Sequence, residues 1–361
     1  MADTKNVESE NLLQHLPIST ALSLISNLGG VGDCLFFFIS IWYICEETAN
    51  YKRQFKRVWI LERELLFWSL LLLVCDFLAQ GFGLREAYSR GSPLKHLILG
   101  VFPALSDHWW FPTNYMLFLL IVPVLSTGLR KAGEQLHGTL AIILLVLYGF
   151  IPFATVNSFI GEHQTMNYSV WLFIYQFVLI TYIRWYRTEW LRSKSLMTRI
   201  MWIGGSSGII SQIICTALVS VVSGSGLWIL WYRWMNCPAC FPSMMFSLGL
   251  LALAQQKKPR YNKAINRIAS ATLTVYLLLT DSFVNSIIST AIQSIPQKGS
   301  PLFCSCIASC ILLFAAFLLL GLIRQSLFSI TIDRHRGHWF ELLWSKVSRL
   351  LHNHLNSSLA G

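Results

Sequence analysis

The chain has 361 residues, of which 54% are hydrophobic, 14% aromatic and only 12% charged, against about 25% charge in an ordinary soluble domain. Its apolar residues fall in blocks close to the roughly 20 residues a helix needs to cross a bilayer, which excludes a soluble globular domain and predicts an all-α, polytopic membrane helix bundle. The net charge of +11 implies no nucleic-acid partner, because the basic residues cluster in short loops between apolar blocks, the arrangement that orients membrane helices.

Residues 1–26 form a polar N-terminal segment with Asp3, Glu8 and Glu10 and no basic stretch beyond Lys5, so no cleavable signal peptide is expected. Nine spans follow, at about 27–46, 64–84, 109–128, 139–160, 168–183, 200–223, 237–254, 268–290 and 302–323. The block at 94–105 and the aromatic run "LWILWYRW" at 227–234 read as interfacial, since Trp and Tyr favour the headgroup level. Basic loops follow alternate spans: Lys52–Arg63, Arg130–Lys131, Arg184–Arg199 and Lys257–Arg267. With the basic tail from Arg324 onward they place one side of the bundle, and the C-terminus, in the cytoplasm. Nine spans then put the N-terminus outside, as though one helix were missing from the front. In the tail, residues 324–361, "WFELLWSKVSRLL" carries apolar residues at helical spacing and is expected to lie on the inner membrane surface.

The nine cysteines imply no disulfide framework. Cys34, Cys45, Cys75 and Cys215 sit in apolar blocks, where cysteine packs as a small hydrophobe. "CPAC" at 237–240 has the C-x-x-C spacing of a redox motif without the βαβ setting that motif needs. No metal site is expected.

Two acids, Asp76 and Asp281, fall within spans. Ionisable residues there are costly and usually face the bundle interior. At about 1.5 Å per residue, both lie about 20 Å from the inner ends of their helices, so the two carboxylates are expected to share an outer polar cavity. Ser270, Thr274, Asp281 and Asn285 fall on one side of the helix as a polar stripe facing protein or water, which a structural hydrogen-bond network explains as well as a catalytic one. None of the nine histidines is expected inside a span. His108, beside Asp107 and just before Trp109 and Trp110, is the one placed to act as a base, although interfacial anchoring explains it as simply.

Three ordered stretches, "GGVGDCLFFFISIWYI" at 29–44, "HWWFPTNYMLFLLIVPVLSTGLRK" at 108–131 and "INRIASATLTVYLLLTD" at 265–281, together resemble the acyltransferase 3 family of integral membrane acyltransferases. The resemblance implies transfer of an acyl group, commonly acetyl, from cytoplasmic acyl-CoA to a hydroxyl of a cell-surface or lipid-linked glycan, at a bacterial plasma membrane. The family's Arg-x10-His signature in its first helix is absent here, since no arginine precedes Arg53; Arg85 and His96 share the spacing only by chance. Leu279 stands where a late-helix histidine is usual, and Asp33, Cys34 and Ile41 depart from the first motif. A non-catalytic, truncated member of the family and a transporter of lipid-linked saccharides are the alternatives. No inverted repeat supports the transporter.

Independently of the resemblance, whose histidines are missing here, Asp281, Asp76 and His108 are the candidate catalytic residues, with Asp281 read as a cavity-lining carboxylate rather than as the base. Trp110, Phe111 and Tyr115 can stack on a sugar or can equally anchor the start of a helix, and Ser40 and Tyr276, which match the family's serine and tyrosine, join them as acceptor-binding positions. The run 51–63, with Arg53, Lys56, Arg57 and Arg63, can hold the phosphates of coenzyme A, or can be topogenic charge against lipid phosphates. The sequence leaves the oligomeric state open.

Overall fold

The structure is a computed structural model that describes residues 16–47, 50–83, 97–98, 100–104, 106, 108–151, 169–221, 238–293, 300–331 and 337–359. Every regular element among the described residues is helical, with no strand. The elements are α1 (Leu16–Ile44), α2 (Tyr51–Gly81), α3 (Trp110–Leu144) continued by a π-helical turn (Leu145–Phe150), α4 (Val170–Tyr186), α5 (Thr188–Arg192), α6 (Lys194–Val221), α7 (Phe241–Gln255), α8 (Lys263–Thr280), α9 (Ser282–Gln293), α10 (Ser300–Ile330) and α11 (His338–Leu359). Trp110–Phe150 and Ile307–Ile330 are long and apolar enough to cross a membrane alone, and the bent pair α8–α9 counts as a third crossing if taken as one span. Leu28–Ile44, Val170–Tyr186 and Phe241–Gln255 are shorter apolar helices.

The chain divides into two compact units, one of residues 1–49 and 122–260, the other of residues 50–121 and 261–361. In the first, α6 and α7 pack at backbone distance. A Cβ on Gly249 would stand 2.6 Å from the Met201 Cβ, and one on Gly204 would stand 2.6 Å from the Phe246 amide nitrogen. Small residues are what allow apolar helices to approach this closely. α1 and α4 are tied to the start of α7 at one carbonyl, that of Pro238, which accepts from the Cys34 thiol and from Gln176 Nε2 at 3.0 Å. Phe37 and Phe173 meet edge to face at 4.4 Å beside this knot. Cys34, Cys45 and Cys240 are buried, in keeping with a packing role; Cys237, the other half of "CPAC", lies outside the described residues.

The second unit is centred on Leu65, Trp68 and Leu72 of α2, Trp109 and Met116, and Leu277 and Leu278 of α8. α8 and α10 meet where a Cβ on Gly321 would lie 3.0 Å from the Ala271 carbonyl and from Thr274 Oγ1. Arg324, 7% exposed, joins α10 to α2 through Glu64 at 3.2 Å. The predicted tail helix is present as α11. Glu341 fastens it to Lys52 and Lys56 of α2 at 2.6 and 3.0 Å, while Trp339, Leu342, Leu343, Val347 and Leu350 remain exposed.

Three expectations change. The run 51–63 is not a loop but the opening of α2, begun by Asn50, whose side chain accepts from the Arg53 amide. The spans expected at 109–128 and 139–160 follow one another directly, as two helices joined across a kink at Gly133 with no loop between them. A straight helix of 41 residues would be about 60 Å long, roughly twice the hydrocarbon thickness. Gly133 breaks it with φ 75° and ψ 174°, a backbone only glycine adopts freely. This run also carries His137, so a histidine does lie within an apolar helix. Third, the helix expected over 268–290 is broken at Asp281, and α8 and α9 diverge by 73°.

Candidate functional site

The break at Asp281 explains why an acid stands in an apolar run. α8 ends at Thr280, and Asp281 itself has extended backbone, φ −71° and ψ 136°. Its Oδ1 then accepts from the amides of Phe283 and Val284 at 2.9 and 3.1 Å. This is a helix N-cap: two of the amide donors that a helix start leaves unmet are satisfied by one carboxylate oxygen. The positive end of the α9 dipole stabilises that carboxylate further. The single polar stripe expected for a continuous helix therefore does not exist. Ser270 pairs with Gln325 at 3.1 Å, Thr274 is buried under Gly321, and Asn285 is exposed.

The other oxygen of Asp281 is the centre of the site. His108 Nε2 lies 2.9 Å from Asp281 Oδ2. The aspartate side chain is 4% exposed and the histidine side chain 30%, so the carboxylate is enclosed and the imidazole stays reachable from outside. A carboxylate can only accept here, so Nε2 carries the hydrogen in the neutral ring and Nδ1 is the basic nitrogen. Two candidates that sequence reasoning treated separately are thus brought into one dyad. Asp107, the sequence neighbour of His108, lies outside the described residues.

The motifs at 108–131 and 265–281 meet around this pair. Trp109 is fully buried and donates Nε1–H to the Leu277 carbonyl at 3.0 Å. Its ring stands edge to face with His108 at 4.3 Å. The Phe111 amide donates to the Tyr276 hydroxyl at 3.4 Å. Phe111 also gathers the predicted sugar-stacking residues, with Trp110 at 5.4 Å, Tyr115 parallel at 6.3 Å and Tyr276 at 6.0 Å. Trp110, Tyr115 and Tyr276 therefore form one aromatic cluster.

Asp76, 3% exposed, accepts from Gln80 Nε2 one turn along α2 at 3.2 Å. Ser40 is on α1 in the other unit. Of the basic residues proposed for a donor, Lys56 is engaged by Glu341 and Arg57 donates to Gln54 Oε1 at 3.2 Å. Arg53 and Arg63 also stand in the opening turns of α2. Arg85 and His96 fall outside the described residues. Among the described residues no cluster of three or more His, Cys, Asp or Glu could hold a metal ion.

The residue that sequence reasoning passed over is His137. It is wholly buried, its Nε2 lies 3.0 Å from the Val178 carbonyl, and Tyr182, Trp185 and Tyr186 surround it at 5.5–5.7 Å. Its Nδ1 has no hydrogen-bond partner. The nearby charges Arg130, Lys131 and Glu134 made this stretch read as a loop. The only available signal was the helical spacing running on past Gly133.

Comparison with known proteins agrees with the three motifs. No curated protein and no solved structure matches the chain. The acyltransferase domain that defines the acyltransferase 3 family matches residues 10–321, a range that contains both His108 and Asp281, and the chain is a member of that family.

Proposed function

We propose that this protein is a multi-pass acyltransferase of a bacterial plasma membrane that moves an acyl group, acetyl in the simplest case, from acyl-CoA to a hydroxyl of a cell-surface or lipid-linked glycan. The observation that carries the reading is the 2.9 Å pairing of His108 with Asp281. In the proposed reaction His108 Nδ1 takes the proton of the acceptor hydroxyl as its oxygen attacks the thioester carbonyl. The imidazolium that forms is stabilised by the Asp281 carboxylate. Collapse of the tetrahedral intermediate breaks the C–S bond, and the proton held on His108 passes to the leaving thiolate. The Trp110, Tyr115 and Tyr276 cluster supplies faces on which a sugar ring can stack. The bundle is proposed to have nine spans, with the N-terminus outside, and α11 with its exposed apolar face lies along the inner surface.

The test is transfer of radiolabelled acetyl from acetyl-CoA to membrane glycan by the full chain in membranes. Positioned general bases typically contribute about 10²–10⁴-fold, so His108→Gln is expected to lose at least about 100-fold while its amount in the membrane is unchanged. A His108→Gln protein that transfers at the wild-type rate would remove His108 from the reaction.

A further inference from the structure

The first unit contains a cleft of about 880 Å³ whose lining combines Arg130, Arg184 and Arg192 with Trp42, Trp185 and Glu46. Glu46 is the single acid among the lining residues, so the cleft is strongly cationic. Two of the arginines are held in place. Arg184 stacks on the Trp42 ring at 4.0 Å and Arg130 on the Trp185 ring at 4.3 Å. Arg184 Nε donates to Glu46 Oε1 at 3.0 Å, and Arg130 Nη2 donates to the Cys45 carbonyl at 2.9 Å. A guanidinium fixed by its face keeps its plane, and the N–H groups along its edge stay in the forked geometry that suits phosphate oxygens.

The hydrogen bonding of the cleft is incomplete. Arg184 Nη1 and Trp185 Nε1 are both enclosed and lack any hydrogen-bond partner, which is costly for polar donors, above all charged ones. Arg192, at the end of α5, is exposed and adds a third guanidinium with freedom to close on a ligand.

We propose that this cleft is a binding site for a phosphate ester, gripped by Arg130, Arg184 and Arg192. The phosphate can come from a nucleotide-bearing donor or from an anionic lipid headgroup. The site stands on its own residues, and only the identification of its ligand as the acyl donor rests on the function proposed above. On that identification the donor's phosphates bind here rather than at the opening of α2.

The experiment uses the full chain in nanodiscs of zwitterionic lipid, titrated with ADP and with inorganic pyrophosphate by calorimetry. A parallel set of nanodiscs contains phosphatidylglycerol, with the lipid retained by the protein counted by native mass spectrometry. Arg192→Gln is the test variant, since an exposed side chain on a short helix can be changed without disturbing the core. Arg199→Gln, exposed in the same unit and outside the cleft, is the control of equal charge. The wild type and Arg199→Gln are expected to bind ADP or pyrophosphate alike, and Arg192→Gln about tenfold or more weakly. Loss of retained phosphatidylglycerol in Arg192→Gln alone, with no binding of the soluble phosphates, would support the site with a lipid as its source. If Arg192→Gln and Arg199→Gln cannot be told apart with any of the three probes, the proposal is overturned. Because these readouts are binding, they remain informative even if the chain transfers no acyl group.

Discussion

Replacing Asp281 separates two roles that one side chain holds on two different oxygens. Oδ1 caps α9 through Phe283 and Val284, and Oδ2 faces His108. Asparagine caps a helix about as well as aspartate, so Asp281→Asn keeps the Oδ1 interactions and gives up the charge on the helix dipole, worth about 0.3–1 kcal/mol. Its amide nitrogen, however, presents hydrogens where the carboxylate presented an acceptor. His108 Nε2 then has to accept, the ring hydrogen moves to Nδ1, and the basic nitrogen is lost. Asp281→Ala removes both roles: the missing cap alone costs about 0.5–2 kcal/mol, and two amides at the start of α9 lose their partner. Thermal unfolding in detergent should therefore rank wild type slightly above Asp281→Asn and well above Asp281→Ala. Acetyl transfer should fall by about 10²–10⁴ in both variants, the span of a general base's contribution. Asp281→Asn with transfer within a few-fold of wild type would refute the reasoning and leave Asp281 a cap alone.

Gly249→Ala places a methyl group 2.6 Å from the Met201 Cβ, and overpacking of this kind costs about 1–3 kcal/mol; a lowered melting temperature of the purified chain is the readout. Arg324→Leu takes the arginine from Glu64 in an enclosed pair, expected to cost about 3–5 kcal/mol. The double variant with Glu64→Leu should recover part of that loss in the same unfolding measurement. The hydrogen bond from Lys52, and after it the one from Lys56, hold Glu341 below the usual glutamate range. A lowered folded-state value contributes stability that is present above the unfolded value and is lost as pH falls through the folded one. The protection of the α11 amides, taken relative to the intrinsic exchange rate at each pH, should therefore be unchanged from neutral pH down to about 4.5 and fall below it, and Glu341→Gln should abolish that dependence.

Composition and periodicity were enough to identify a helical membrane protein and the amphipathic α11, because burial in lipid writes itself into hydropathy, whereas the three ordered motifs were legible only as a resemblance to a family. They missed the break at Asp281 because hydropathy averages over a window, and one acid in "VYLLLTDSFVNSI" hardly lowers the mean. The clue was chemical: Thr280-Asp281-Ser282 is a cluster of helix-capping residues, and the run beyond it starts a second helix. The partner of His108 had no local signature. Asp281 lies 173 residues away, and tertiary packing, Trp109 on Leu277 and Phe111 on Tyr276, brings the two together. Two of the three cleft arginines, Arg184 and Arg192, were visible in "RWYRTEWLR" and Arg130 in "GLRK", but each was accounted for by orientation in the membrane. A charge that faces solvent beside a bilayer and one stacked on an indole look the same in sequence.

The 73° bend between α8 and α9 has a mechanical consequence. A continuous helix meets a thicker or thinner bilayer by tilting as a rod, at a modest cost per ångström of mismatch. A jointed pair can instead open or close its elbow, and here the elbow is the residue that faces the imidazole.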